Sequence, residues 1–464
     1  MSKKSFLQIP NKKQWSINDF IEFSPPNNLF SIKIILRATL SSFPNGVALA
    51  TVSQVASALK CNWNLSVQEL TFLTVAFFIG EGVGSFYLGR ASDTCGRKIS
   101  LMVATGLTVY FGLLAAISPS MIYFMVFRVF VGAGYGANVM MIFIYSTEYI
   151  KKTDRSLVTL VYMLIFTTGT LFSILMSYWT LNRYGWRIYM ALCSIGGIFG
   201  LSLFNLPESM YYYQMHEKAD EIKNVLNEIA ETNNIEWPSH ATLTLQRYKR
   251  SKIGLVYTFQ KFKFKLLATS VVFIAIMFSF YGLPFFILYK LQHGHCNLLS
   301  IGNHLNPLDT NCIPQTDSQV LYSFYITSGT IPGAFVSYIL ANKFGRKVMM
   351  NVTLVLLMLC YLAQTVCLPN IVGYGLLFAS SGLTLGASCY IFNYISELFP
   401  TNVRASAAGF VIGFGKNACI VTPFIFQQLL QRSPLIVLVG LPCLSLIAIG
   451  FLWFLPETLN KDVF

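Results

Sequence analysis

Three ionisable side chains stand inside long apolar runs: Glu81, Arg128 and Lys416. Placing one such charge near the centre of a bilayer costs at least about 2.5–3.5 kcal/mol by insertion scales, so it is kept for a task. It pairs with an opposite charge, relays a proton or attracts a charged solute. Counted from the start of their runs, Glu81 and Arg128 reach similar depths, and an ion pair between them is expected, with a structural or proton-coupling role. Lys416 has no acid at similar depth in its own half of the chain, because Glu397 and Glu457 fall at the edges of their runs. It is expected to stand as an unpaired cation that draws an anion into a cavity. Tyr162, Tyr281, Tyr325, Tyr390, Asn138 and Asn417 lie in the same kind of run, and each has the chemistry to stack on or hydrogen-bond an organic solute.

Other chemistries find no support. Gly132-Ala133-Gly134-Tyr135-Gly136 sits within an apolar run with no strand before it, which rules out a dinucleotide fingerprint. Gly415-Lys416 lacks the upstream glycine and the Ser/Thr of a phosphate loop, and His216-Glu217 lacks the second histidine of a zinc protease. The ten cysteines show no metal-ligand spacing. No nucleophile–base pairing emerges, so neither an enzyme nor a cofactor or metal is expected.

The elements that position these residues follow from composition. Of 464 residues, 54% are hydrophobic and 11% charged, against about 25% charge in soluble domains. Such a chain cannot coat soluble domains with polar surface. Instead it carries twelve apolar stretches of roughly bilayer length, near 34–58, 70–89, 99–118, 121–145, 156–180, 187–206, 266–289, 318–341, 349–368, 371–395, 405–430 and 434–455. The first is the weakest, interrupted by Pro44-Asn45-Gly46. An all-α, multi-pass membrane protein is expected.

The chain also repeats itself. Gly96-Arg97-Lys98 recurs as Gly345-Arg346-Lys347, Glu148 and Arg155 as Glu397 and Arg404, and Pro207-Glu208-Ser209 as Pro456-Glu457-Thr458, each copy 249 residues on. Matches so far apart yet in register indicate a duplicated unit, the architecture of two-halved transporters. The expected division is 1–206 for the first six-helix half, 207–265 for a linker and 266–464 for the second half. In the linker, Ala219, Ile222, Val225, Leu226, Ile229 and Ala230 share one helical face, which predicts an amphipathic helix packed beneath the bundle or lying at the lipid surface.

Charge sets the orientation. With the N-terminus cytoplasmic, 26 of the 33 Lys and Arg residues fall on the cytoplasmic side, the positive-inside pattern. Both termini are therefore expected in the cytoplasm, and the net charge of +14 reads as topology, not as nucleic-acid binding. Cys296 and Cys312 share the loop between the seventh and eighth spans on the opposite, oxidising side and are the candidate disulfide. Asn64-Leu65-Ser66 is a glycosylation sequon on that same side.

The duplicated charges sit at the cytoplasmic edges. Glu148 and Glu397 can neutralise arginines of the preceding loops. Such pairs are expected to hold the cytoplasmic ends of the two halves together in one state and release them in another. The expected gate comprises Asp93, Arg97, Glu148, Arg155, Arg346, Glu397 and Arg404.

Two motifs resemble a known family. Gly89-Arg90-Ala91-Ser92-Asp93-Thr94-Cys95-Gly96-Arg97-Lys98 resembles the G-x-x-x-D-x-x-G-R-K loop of the major facilitator superfamily, and its second copy has Asn342 in place of the acid. The run from Arg128 to Gly136 resembles the superfamily's R-x-x-x-G-x-G motif. The segments Leu59–Ser66, Asn393–Pro400 and Lys416–Phe424 are similar to the synaptic-vesicle-2-related branch, close to the organic cation and anion transporters. Only about ten residues separate the first two spans, so the large ectodomain of the organic ion transporters is missing. That branch commonly carries acids in its first helix, where this chain has Asn45 and Ala48, and relatives often have arginine where Lys416 stands.

The resemblance implies a twelve-helix major facilitator fold whose two pseudo-symmetric halves rock about a central site. It implies a transporter of a small organic solute, an organic ion with anions preferred, and a proton or an exchanged counter-solute as coupling partner. The membrane would be the plasma membrane or that of an intracellular vesicle. The alternative is a transporter-derived receptor or regulator that binds without moving solute, to which the missing first-helix acids point.

Overall fold

The structure is a computed structural model that describes residues 14–24, 28–151, 155–237, 242–243, 255–293, 315–366, 368–399 and 404–458. It is helical almost throughout. With no water in hydrocarbon to satisfy a peptide group, an apolar run must close its hydrogen bonds within itself.

A two-residue strand β1 (Gln14–Trp15) precedes α1 (Ile17–Phe23), which Ser16 and Asp19 open with a reciprocal capping box. The first half then comprises α2 (Leu29–Leu40), α3 (Phe43–Trp63), α4 (Val67–Cys95), α5 (Arg97–Ala116), α6 (Met121–Thr147), α7 (Arg155–Tyr184) and α8 (Trp186–Ile195). A 3-10 stretch, Gly196–Asn205, continues α8. The connecting segment holds α9 (Met210–Met215), α10 (Ala219–Asn233) and β2 (Thr242–Leu243), which pairs parallel with β1. The second half comprises α11 (Leu255–His293), α12 (Asp317–Ser328), α13 (Thr330–Phe344), α14 (Arg346–Ala363), α15 (Asn370–Leu398), α16 (Arg404–Ala418), α17 (Leu430–Arg432) and α18 (Pro434–Trp453).

Ten stretches among the described residues are long and apolar enough to cross a membrane, from Val67–Ser92 to Pro434–Trp453. These are the second to fifth and the seventh to twelfth expected spans. The other two are interrupted. The first breaks at Ser41-Ser42 between α2 and α3, where both hydroxyls turn back onto carbonyls of the preceding turn. The sixth passes from α-helix into the 3-10 stretch. The eleventh also departs from α geometry past Ala418, through a 3-10 turn and a π segment over Phe424–Leu429.

The expected amphipathic helix is α10. Its apolar face, Ile222, Val225, Leu226 and Ile229, is buried. It packs on α2 and α9, and the Leu29 backbone N–H donates to Asn233 Oδ1 at 2.8 Å. The helix therefore packs against the first half through α2. Trp15, Phe20, Phe23 and Trp237 form an aromatic cluster beside it. Cys61, near the end of α3, is disulfide-bonded, and the other six cysteines among the described residues are free thiols. Cys296 and Cys312 lie outside the described residues.

Candidate functional site

The duplication is visible in atomic detail at the end of the bundle that carries the Gly-Arg-Lys turns. Gly96 and Gly345 adopt φ of +102° and +97°, a region that favours glycine, and there the chain turns from one helix straight into the next. The first backbone amides of α5 and α14 would otherwise be orphaned. Glu208 Oε1 accepts from the Arg97 and Lys98 N–H groups at 2.8 and 2.9 Å, and Glu457 Oε1 accepts from Arg346 and Lys347 at 3.1 and 3.4 Å. A carboxylate at a helix N-terminus also meets the positive end of the helix dipole. Tyr145 donates to the Pro207 carbonyl and Tyr394 to that of Pro456. Arg97 pairs with Glu148, and Arg346 Nη2 lies 3.1 Å from Glu397 Oε1.

Four of the seven expected gate residues form these two ion pairs. Each lies within one half, so neither ties the halves together. The reason is chain geometry: Arg97 and Glu148 both belong to the first half's edge, as Arg346 and Glu397 do to the second's. Among the described residues, the contacts between the halves at this end include neutral groups. Thr159 Oγ1 donates to Asn393 Oδ1 at 2.7 Å, and Phe143 stacks on Phe392 with centroids 5.4 Å apart. The side chains of Asp93, Arg155 and Arg404 lie outside the described part of the structure.

At the opposite end Gln427 Nε2 donates to Thr74 Oγ1 at 3.0 Å, and Asn182 Nδ2 donates to Asp317 Oδ1 at 3.0 Å. Between the two closures lies a small cavity. Tyr135, Val139, Tyr162, Met163 and Phe166 line it from the first half, and Met277, Phe280, Tyr281, Ser388, Phe392 and Lys416 from the second. Its walls are apolar and aromatic, with a few polar groups to orient a ligand, the usual make-up of a small-molecule site.

One ion pair stands at this cavity, and it too differs from expectation. Glu81 pairs with Lys416, Nζ to Oε1 at 2.9 Å, with side chains 0% and 1% exposed. Tyr281 donates to the same Oε1 at 2.7 Å. Lys416 Nζ also lies 5.6 Å from the Tyr135 ring centroid, in reach of a cation–π contact. Glu81 on α4 and Lys416 on α16 belong to different halves, so this buried pair bridges them. Neither residue belongs to the repeat: Thr330 and Thr167 stand at the positions 249 residues away.

Arg128 is therefore not the partner of Glu81. Glycines of α6 press on the backbone of α4, such that a Cβ on Gly132 would meet Phe77 O at 2.0 Å and one on Gly136 would meet Glu81 O at 2.2 Å. No room remains in that groove for a carboxylate. Glu81 turns towards α11 and α16, while Arg128 is held inside the first half, where Nη2 donates to Thr51 Oγ1 at 3.3 Å.

The remaining candidates scatter. Tyr281 and Tyr162 line the cavity. Tyr325 is 51% exposed and stacks on Phe378 at the outer surface. Asn417 is exposed and bonds back to the Gly413 carbonyl at 2.9 Å. Asn138 is fully buried in the first half, donating to Thr105 Oγ1 and accepting from Ser41. Tyr390 is buried beside Asn393, Thr159 and Ser156, towards the closure near the Gly-Arg-Lys turns. Sequence reasoning missed Tyr135, Phe166, Phe280 and Phe392. In a chain with 15% aromatics, nothing in a single aromatic marks it as a cavity wall.

Ten membrane-length stretches and two interrupted ones, in two repeated halves with a cavity at their interface, form the architecture of a two-halved transporter. The sequence model of the Major Facilitator Superfamily matches residues 38–423, and the chain belongs to that superfamily of transporters. Its relatives place it alongside the synaptic-vesicle-2-related branch. It is 26% identical to the Synaptic vesicle 2-related protein of Rattus norvegicus, over 92% of this chain and 78% of the relative. To Organic cation/carnitine transporter 7 of Arabidopsis thaliana it is 23% identical, with 85% of each chain covered. Among solved structures it is similar in fold to the proton:xylose symporter XylE bound to 6-bromo-6-deoxy-D-glucose, with a TM-score of 0.69, 20% identity and 94% and 98% of the two chains covered. The partially occluded, inward-open form of XylE from E. coli gives 0.66 at 21% identity, covering 93% and 99%.

Proposed function

We propose that this protein carries a small organic anion across the membrane by alternating access, with Lys416 as the anion's partner. The observation that carries the reading is an asymmetry in the ion pair: Lys416 is part of the cavity wall, whereas Glu81 is not among the lining residues. A solute carboxylate entering the cavity meets the ammonium first. It can take the place of Glu81, and a proton taken up by Glu81 would remove the cost of leaving that carboxylate buried without a partner. Because the pair joins the two halves, exchanging its anion loosens the bridge at the moment the site fills. The aromatic walls suit a solute with an apolar body.

Residues 1–206 and 266–464 are then the two moving halves, 207–265 the linker, and both termini are cytoplasmic, in keeping with the basic residues gathered on that side. The cross-half contacts at Thr159–Asn393 and Thr74–Gln427 then act as the inner and outer closures, with Tyr390 beside the inner one. Opening to either side breaks one and keeps the other. The duplicated networks of Arg97, Glu148 and Glu208 and of Arg346, Glu397 and Glu457 keep the cytoplasmic edge of each half rigid while it moves.

Binding tests the reading. Purified protein is heated in the presence of a panel of organic anions and organic cations, and the unfolding midpoint is followed. At a hundred times its Kd a ligand stabilises by about 2.7 kcal/mol, so one or more anions should raise the midpoint of the wild type and lose that effect in Lys416→Ala. Stabilisation by cations alone, unchanged in Lys416→Ala but lost in Glu81→Gln, overturns the anion assignment.

A further inference from the structure

Arg128 takes no part in the central site, and its surroundings are unusual for a cation. It is 2% exposed, and among the described residues no carboxylate lies within ion-pairing distance of it. Among the described residues it donates to one hydroxyl, Thr51 Oγ1, and faces the rings of Phe124 and Phe77 at 5.5 and 5.9 Å. Its Nε is buried with no acceptor. A hydroxyl and two rings do not neutralise a desolvated guanidinium, which normally demands a counter-charge.

Arg128 also lines a second, small cavity between α3, α5, α6 and α8. This cavity lies wholly within the first half, apart from the cavity between the halves. No acidic side chain lines it. Its hydroxyls are already committed: Thr51 donates to Ala48 O, Thr108 to Ala104 O and Ser194 to Met190 O. The guanidinium is therefore the donor left over in an otherwise apolar chamber.

We propose that this chamber binds a small monovalent inorganic anion, a halide such as chloride, against Arg128. A halide is spherical and weakly hydrated, so one guanidinium and apolar walls suffice. A phosphate or sulfate needs several convergent donors, which the chamber does not offer. The bound anion supplies the counter-charge that Thr51 and the rings cannot, and it stabilises the first half without entering the solute path.

The test uses the full chain in lipid nanodiscs, with chloride titrated against gluconate at constant ionic strength and pH. The unfolding midpoint rises saturably with chloride and with bromide, by several degrees, and stays flat in gluconate, which is too large for the chamber. Arg128→Met loses the response, and Ala48→Leu, which fills the chamber but keeps the guanidinium, weakens it. Crystals grown in bromide show an anomalous peak beside the Arg128 guanidinium. A wild type indifferent to chloride overturns the proposal, as does an undiminished chloride response in Arg128→Met. Should Arg128→Met fail to fold, the bromide crystals decide: a peak beside the guanidinium supports the site, and its absence overturns it.

Discussion

Removing either member of the Glu81–Lys416 pair alone costs about 3–5 kcal/mol of stability, and removing both charges together costs little. Lys416→Met leaves a fully buried carboxylate with only the Tyr281 hydroxyl on Oε1 and nothing on Oε2. Glu81→Gln leaves a buried ammonium facing a ring and an amide. Glu81→Gln with Lys416→Met exchanges the pair for neutral groups of similar volume, and the desolvation cost of both ions disappears with their attraction. Thermal or denaturant unfolding of the four proteins reads the coupling as a double-mutant cycle. Single-variant losses that simply add in the double variant would mean that the pair does not form. Both partners are required for the bridge between halves, so this cycle also tests whether the two halves are joined at the cavity.

A methyl group at Gly132 is expected to disrupt the first half. The Cβ of Gly132→Ala would lie 2.0 Å from the Phe77 carbonyl oxygen and 3.0 Å from the Glu81 amide nitrogen, both backbone atoms that cannot turn aside. The helices must part along their length, and overpacking of this kind costs about 1–3 kcal/mol or more. Glycine serves here as a contact surface, the role of small residues between membrane helices. Gly106→Ala on α5 is the matched control, since nothing lies within 4 Å of its Cβ position. There the substitution should be neutral or stabilising, because glycine inside a helix is worse than alanine by roughly 0.5–1 kcal/mol. Folded yield and unfolding midpoint compare the two. A Gly132→Ala protein as stable as Gly106→Ala would contradict the close approach of α4 and α6.

Much of the architecture was legible because the bilayer constrains it so tightly. Ten apolar runs became ten stretches of membrane length, and the two that fell short did so for local reasons: the Ser41-Ser42 corner before Pro44, and the glycines at 196, 197 and 200 in the 3-10 stretch. The repeat register carried over to the structure, from the positive-φ glycines to the carboxylate caps at Glu208 and Glu457.

What the sequence hid is rotation and partnership across the halves. Depth along a helix can be counted, and it placed Glu81 level with Arg128. Which way each side chain faces depends on the glycine face of α6, whose packing against α4 a residue count does not describe. Lys416 looked partnerless because its acid lies in the other half, and an asymmetric pair leaves no trace in a repeat. Asn417 stands one residue past Lys416, a turn of about 100°, and its side chain bonds back to the Gly413 carbonyl while Lys416 lines the cavity.

If the buried Glu81–Lys416 pair serves solute movement and not only stability, uptake into liposomes reveals it. Wild type and the Glu81→Gln, Lys416→Met double variant, the latter shown to be as stably folded, are offered a mixed pool of organic anions and cations, and the internal contents are read by mass spectrometry. The wild type is expected to accumulate one or more organic anions and the double variant none. Equal anion uptake by both proteins would show the pair to be a structural bridge only. Flux of no solute, from wild-type protein that binds an anion, would identify a receptor on a transporter's fold.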